Sequence, residues 1–345
     1  MFYVPGSEFG VGGMTMRRAW LLAIGVVLLS AAQAGAAEEK VKFALSWVPT
    51  GRDAGFYAAL DRGYYKEEGL AVEILKGNGS GDTIRRVAVG TEEFGFADTA
   101  TLVISRSRGT LVKVVGMIHD KSMYAVYSLK ASGIKTPKDL EGKKIGSPAK
   151  SAVRTVFPAF ATLNKIDQGK IEWVDMGNEL MPAALASRRV DAVLMFANEV
   201  PVVRLAAAQV QQEVAGLLFS DYGVDVYSNG LIAADKTIRE RPELVRRFVR
   251  ATMKGVAWAA ENIDGAAEVF VKHNPTASKD VARDYWKVAV DHLIRPTSRQ
   301  MGLGYMTKEK MEATRDLIAT YEKLPVKVPL EDLYTNDFLP KILPR

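Results

Sequence analysis

Hydrophobic and polar positions alternate over residues 41–47 and stop at the turn Val48-Pro49-Thr50-Gly51, which predicts a β-strand. A short helix is expected over residues 55–62. Gly63 and Gly69 then punctuate the chain, and residues 70–75 read as a second strand. Strand, helix and strand within about 35 residues form a βαβ unit with parallel strands. A glycine loop, Gly77-Asn78-Gly79-Ser80-Gly81, leads into a helix opened by Asp82, whose carboxylate suits an N-cap, and then into a strand over residues 94–97.

The same plan returns further along. Residues 143–146, 171–174 and 190–195 read as strands, with a helix opened by Ser147-Pro148 and a second over residues 179–187. Between the copies, residues 113–117 and 124–129 look like further strands, and Thr136-Pro137-Lys138-Asp139-Leu140 is a capped turn with proline at its first position. From Asp235 the pattern is mostly helical, over residues 242–262, 264–272, 278–291 and 307–321. Two strand–helix–strand–helix–strand halves predict two α/β lobes. The chain is expected to cross outward near residues 127–130 and return near 227–229, giving lobe one as 37–128 and 229–345 and lobe two as 129–228. In open parallel sheets, ligands sit beyond the carboxyl ends of the strands, so two such sheets facing each other enclose one cleft.

The segment before residue 37 has a different character. Met16-Arg17-Arg18, an apolar run from Ala19 to Leu29 and a small-residue tail give the three-part layout of a cleaved secretory signal peptide, with Ala32-Gln33-Ala34 or Ala34-Gly35-Ala36 at the cleavage site. The run is well short of the ~20 residues a membrane span requires. Residues 1–13 fit no export logic: Gly6-Ser7-Glu8-Phe9 resembles a cloning scar, or the start is misassigned. The expectation is an upstream extension plus signal peptide over 1–36 and a product exported to the periplasm.

Composition narrows the chemistry. Of 345 residues, 48% are hydrophobic and 25% charged, the ordinary globular balance. The net charge of +6 is spread along the chain without a block of like charges, so a nucleic-acid partner is not expected. Cysteine is absent, which excludes disulfides, thiolate metal sites, a cysteine nucleophile and a lipid anchor on cysteine. His119, His273 and His292 are too far apart in sequence to form a helical metal site; His119 is placed near the cleft, and His273 and His292 on the surface of the C-terminal helices.

Several polar and aromatic positions fall at the expected strand ends. Trp47, beside a proline turn, suits stacking on a flat ring, with a buried core position as the alternative. Tyr57 opens the next helix. Ser80 sits in the glycine loop before a helix start, and Asp98 follows a strand as either a cleft residue or an N-cap. Ser147 is placed at a lobe-two helix start that would favour an anion, reinforced by Arg154 one turn further. No nucleotide fingerprint or Gly-x-Ser-x-Gly motif is present.

Trp47-Val48-Pro49-Thr50, Ala54-Gly55-Phe56-Tyr57-Ala58-Ala59, Gly63-Tyr64-Tyr65-Lys66-Glu67-Glu68-Gly69-Leu70, Arg189-Val190-Asp191-Ala192-Val193 and the tail Leu330-Glu331-Asp332-Leu333-Tyr334 together resemble the periplasmic substrate-binding proteins of ABC importers. The similar group is the one for taurine, alkanesulfonates, nitrate and thiamine-pyrimidine precursors, with the pyrimidine-precursor branch nearest. The resemblance implies a two-lobe type II periplasmic-binding fold: two parallel-rich sheets flanked by helices and joined by a two-strand hinge. In the branch's opening motif Trp47, Pro49, Gly55 and Tyr57 match, whereas Thr50 replaces an asparagine and Asp53 a histidine. The resemblance also points to Asn198-Glu199 in lobe two, and to Tyr222 within Asp221-Tyr222-Gly223-Val224. From position alone, Glu199 reads equally as a helix-start surface glutamate and as an acceptor for a ring amino group; the resemblance selects the second.

The implied function is capture of a small flat nitrogen heterocycle by a monomer that delivers it to the membrane permease of an ABC importer, with no cofactor and no catalysis. The alternatives are a binding protein for a sulfonate, nitrate or aromatic carboxylate, a pyrimidine-synthase-like enzyme, and a sensor. Synthases on this fold use a cysteine-rich iron site and the motif histidine, and this chain lacks both.

Overall fold

A computed structural model describes residues 1–3, 6, 38–149 and 151–344; the signal-peptide reading lies outside the described residues. Both lobes belong to the unit Glu39–Arg345. The chain lays down β1 (Glu39–Ala44), β2 (Leu70–Leu75), β3 (Phe94–Asp98) and β4 (Val112–Met117), then β5 (Tyr124–Leu129), β6 (Lys144–Ser147), β7 (Glu172–Asp175), β8 (Ala192–Phe196) and β9 (Val214–Leu218), and finally β10 (Asn229–Ala234). The first sheet has the order β2-β1-β3-β10-β4 and the second β7-β6-β8-β5-β9. The two orders are equivalent: three parallel-paired strands, then one strand inserted out of sequence order, then an edge. That inserted strand runs antiparallel to both neighbours, β10 in the first sheet and β5 in the second. The parallel βαβ units expected from the pattern are present, and each sheet is mixed because the two connecting strands enter it from the far side.

β5 pairs with β8 from Tyr124 onward, so the outward crossing falls at residues 118–123 rather than at 127–130. The return segment ends at Ser228. The two crossings lie side by side: Ser228 N–H donates to His119 O at 3.1 Å, and the Ile118 and His119 amides donate to Asn229 O at 3.1 and 2.9 Å. Side-chain contacts reinforce this hinge. Tyr124 Oη donates to Asp98 Oδ2 at 2.5 Å, and Thr307 N–H donates to Tyr227 Oη at 2.8 Å.

Lobe one buries the face of its sheet under the helices Ala54–Asp61 and Pro242–Glu261. Phe248 stacks on Phe94 at 3.9 Å and meets Phe43 edge-on at 5.2 Å, so aromatic rings from two strands and a helix fill one volume. The helices touch at Gly255, where a Cβ would lie 2.4 Å from the Ala59 Cβ. Local readings shift where capping chemistry was misjudged. The helix after the glycine loop is Ser80–Ala88 with Gly79 as N-cap, and Asp82 lies inside its first turn, paired with Arg85 and Arg86. The lobe-two helix is Ala152–Leu163, capped by Ser151 rather than Ser147. His292 is buried, not superficial.

The helix Lys279–Leu293 is placed to control the cleft. It packs on the short 3-10 turn Gly51–Asp53 of lobe one and also on the turn Ala197–Glu199 of lobe two. The approach is closest at Gly51, where a Cβ would lie 2.2 Å from the backbone oxygen of Ala282. Gly51→Ala should therefore destabilise the fold by about 1–3 kcal/mol, as overpacking does, read as a lower denaturant midpoint. An unchanged midpoint would mean the turn and helix separate freely.

His119 and His292 give the hinge a pH dependence. Burial holds both rings below the ordinary value of 6.5; Arg52 and His292 add to this at His119, as Lys121 and Arg295 do at His292, where the Val288 carbonyl and Asp291 oppose it. An unfolded ring protonates near 6.5, so below that pH the unfolded state binds more protons and stability should fall. The buried carboxyls of Asp53, Asp98 and Glu199, raised by burial, act in the opposite direction on acidification. The histidine contribution is isolated by His119→Asn with His292→Asn: the loss of denaturant midpoint between about pH 7 and 5.5 should shrink relative to wild type. An identical pH profile in the double variant would contradict it.

Candidate functional site

A cavity of about 250 Å³ opens between the lobes. Lobe one contributes Ser46, Trp47, Thr50 and Arg52 from the segment after β1, Asn78 to Gly81 from the glycine loop, and Thr101 from the helix Thr99–Ser107. Lobe two contributes Pro148, Ser151, Ala152 and Thr155 at a helix start, Asn178, and Phe196 with Glu199 after β8. The cavity thus sits at the carboxyl ends of strands in both sheets. Gly77 is required for this wall, since a Cβ there would lie 2.0 Å from Leu45 O.

Two short turns of the same design face each other across the cavity. In lobe one, Asp53 folds back so that its Oδ2 accepts the Thr50 N–H at 2.9 Å. In lobe two, Glu199 folds back and its Oε2 accepts the Phe196 N–H at 2.9 Å, while Asn178 Nδ2 donates to Oε1 at 3.4 Å. Both are carboxylates in the third turn position capping the residue three before them. Asp53 is completely buried behind the wall; Glu199, 8% exposed, lines the cavity. Burial pushes the Glu199 carboxyl above its usual range, and the guanidinium of Arg52, on the opposite lobe, pulls it back most strongly.

Arg52 is itself 5% exposed. Its Nη2 donates to Ser46 Oγ at 2.8 Å, and its Nε lies 3.6 Å from Asp53 Oδ1. The guanidinium carbon is 5.7 Å from the Phe96 ring centre in lobe one and 5.6 Å from the Phe196 ring centre in lobe two, within cation–π range of both.

Of the residues singled out from sequence, Trp47, Ser80 and Glu199 line the cavity. The others stand elsewhere. Asp53 is consumed by its turn. Tyr57 packs edge-on against Phe270 at 5.4 Å in the lobe-one core, and burial raises its hydroxyl to about 12. Asp98 caps the helix Thr99–Ser107, accepting from Thr101 N and Oγ1 at 2.9 and 3.0 Å and from Tyr124 across the hinge. Ser147 is buried at the end of β6, 3.2 Å from Ser151 Oγ. Arg154 turns from the cavity to lie 3.6 Å over the Trp173 ring, with Asp175 at 3.4 Å. Asn198 is fully buried beside Glu199, and Tyr222 packs edge-on against Phe160 at 6.0 Å in lobe two. His119, placed near the cleft, is fully buried at the hinge.

Of the adjacent charges Arg52 and Asp53, it is Arg52 that lines the cavity, whereas the family motif points to Asp53. The signal was present: Thr50-x-x-Asp53 is the spacing of a capping pair, which commits Asp53 to its own turn and leaves Arg52 as the side chain free to face the cleft. Phe196 and Asn178 carried no comparable signal.

Comparison with known proteins agrees with this architecture. The chain is 26% identical over 312 residues to the riboflavin-binding protein RibY of Chloroflexus aurantiacus, covering 88% of this chain and 86% of that one. It is 24% identical over 324 residues to the formylaminopyrimidine-binding protein of Halalkalibacterium halodurans, covering 91% and 97%. A 4-amino-5-hydroxymethyl-2-methylpyrimidine phosphate synthase of Legionella pneumophila is 24% identical over 312 residues, covering 88% and 93%. Among solved structures, the periplasmic aliphatic sulphonate binding protein SsuA of Escherichia coli superposes with a TM-score of 0.66 at 14% identity over 85% of this chain and 91% of that one, which establishes the periplasmic-binding fold. The NMT1/THI5-like family description matches residues 52–266, well over half of the sequence, and the chain belongs to that family.

Proposed function

We propose that this protein is the solute-binding component of an ABC importer, exported to the periplasm, where it captures a small flat nitrogen heterocycle between its lobes and presents it unchanged to a membrane permease. The observation that carries this reading is Glu199: a buried carboxylate on the lobe-two wall, with one oxygen occupied by its own turn and the other held only by a long bond from Asn178. Such an oxygen accepts an N–H from a ring amino or ring amide group, and a carboxylate acceptor makes this bond stronger than a neutral one. Trp47 on the facing wall offers a surface for stacking. At about 250 Å³ the cavity falls just below the ~300–1,000 Å³ of sites for drug-sized ligands, which favours one or two rings.

The relatives named for formylaminopyrimidine and riboflavin both bind nitrogen heterocycles by their names, in keeping with this chemistry. A sulfonate or nitrate would bring a negative charge beside Glu199 and Asp53, two buried carboxylates balanced by one guanidinium. The relatives named as synthases leave an enzymatic reading to be weighed, and the absence of cysteine argues against chemistry that needs thiolate ligands.

Glu199→Gln is the cleanest test, because the amide oxygen can still accept the Phe196 N–H. It should weaken binding of an aminopyrimidine by roughly 1.5–3 kcal/mol, the range for hydrogen bonds to charged groups. Trp47→Ala should weaken it as well, by ~0.5–1.5 kcal/mol beyond the lost area. Calorimetric titration checks both. Unimpaired binding by the Gln variant, with tight sulfonate binding by wild type, would sink the heterocycle reading.

A further inference from the structure

We infer that Arg52 is a specificity-determining residue, and that the ligand presents a neutral carbonyl oxygen to it next to an N–H that faces Glu199. This rests on the heterocycle reading above and narrows it: the ring is an oxo-substituted, lactam-type heterocycle rather than a purely amino-substituted one. The family motif does not supply this residue, since the pattern that led to the cleft pointed to Asp53.

The inference starts from unspent donors. A guanidinium carries five N–H groups and no acceptor. Arg52 gives one hydrogen bond to Ser46 Oγ, and the 3.6 Å from its Nε to Asp53 Oδ1 is too long for another. It makes no other hydrogen bond among the described residues and lines the cavity while 5% exposed. Donors held away from water without acceptors are costly, so a ligand oxygen that takes them gains disproportionately. The guanidinium carbon lies 5.7 Å from the Phe96 ring centre and 5.6 Å from the Phe196 ring centre, in cation–π range of both, and its Nε is buried without a hydrogen-bond partner.

Charge then selects the kind of oxygen. The local sum is one cation, Arg52, against two buried carboxylates, Asp53 and Glu199. An anionic ligand would worsen that imbalance, whereas a carbonyl accepts from the guanidinium without adding charge. Arg52 belongs to lobe one and Glu199 to lobe two, so a ligand with acceptor and donor on neighbouring atoms meets both only when the lobes are together. A ring lacking the oxygen satisfies Glu199 and leaves Arg52 unpaired. This is how a polar site rejects an analogue missing one group.

Two probes separate the possibilities: cytosine, which adds a ring carbonyl and an adjacent ring N–H to its amino group, and 4-aminopyrimidine, which keeps an amino N–H for Glu199 but has no carbonyl for Arg52. Ethanesulfonate is the third titrant. Wild type should prefer cytosine by about tenfold or more, as for a hydrogen bond to a charged donor. Arg52→Met should bring that preference to about twofold or less. Because Arg52→Met leaves Asp53 buried without its counter-charge, Arg52→Met combined with Asp53→Asn serves if the single variant fails to fold. Equal affinity of wild type for the two pyrimidines would overturn this inference and leave the heterocycle reading standing. A cytosine preference retained in a folded Arg52 variant would overturn it too, by assigning the donor elsewhere. Binding of ethanesulfonate but neither pyrimidine would overturn both.

Discussion

A single buried cation holds the cleft together. Arg52 lies 5.7 and 5.6 Å from a ring centre of each lobe, and its charge draws down the carboxyls of Asp53 and Glu199 that burial raises. Asp53 and Glu199 are each tied into a turn by a backbone amide, which accounts for their position but not for their charge. Charge compensation comes from Arg52, and it comes from outside direct contact: no ion pair closer than 4 Å joins Arg52 to Glu199 among the described residues. The attraction acts across the cleft without filling the cavity, and leaves room for a ligand to complete the hydrogen bonding.

The symmetry of the fold explains why such a site exists. Each sheet ends a parallel strand in a 3-10 turn that feeds a helix, and the helix Lys279–Leu293 rests on both turns. One rigid element thus sets the spacing of Arg52 and Glu199. The hinge borders the cavity, since Asp98 N–H donates to the lining residue Ser80, and its contacts include backbone pairing and the Tyr124–Asp98 and Thr307–Tyr227 bonds. Polar residues near the cleft are divided accordingly: Asp98 and His119 serve the hinge, Asp53 serves its turn, and Glu199, Arg52, Trp47 and Ser80 form the wall.

Much of the scaffold was legible in the sequence because periodicity and punctuation are local. β2 and β5 match their expected bounds, and Thr136-Pro137 caps the turn it was expected to cap. The antiparallel entry of β5 and β10 was not legible, since nothing within a strand records which sheet it joins. Of the residues that line the cavity, Trp47 was marked by its strand end, Ser80 by its glycine loop and Glu199 by the family resemblance. Position in the chain failed for Tyr57, Asp98, Ser147 and Arg154, where packing, capping and stacking on Trp173 claim the side chain. Asp53 was chosen over Arg52 from motif alignment; adjacent residues in a tight turn point in different directions, and the capping spacing decides which one faces inward.

The central claim is that the cleft holds a neutral nitrogen heterocycle and returns it unaltered. The most direct test is to purify the protein from its native cells, release what it carries by denaturation, and identify and count the released molecule by mass spectrometry. The account predicts one heterocycle per chain, bearing a carbonyl and an N–H, and the same mass after prolonged incubation with the protein. Release of a sulfonate or nitrate, or conversion of the heterocycle into a product, would contradict it.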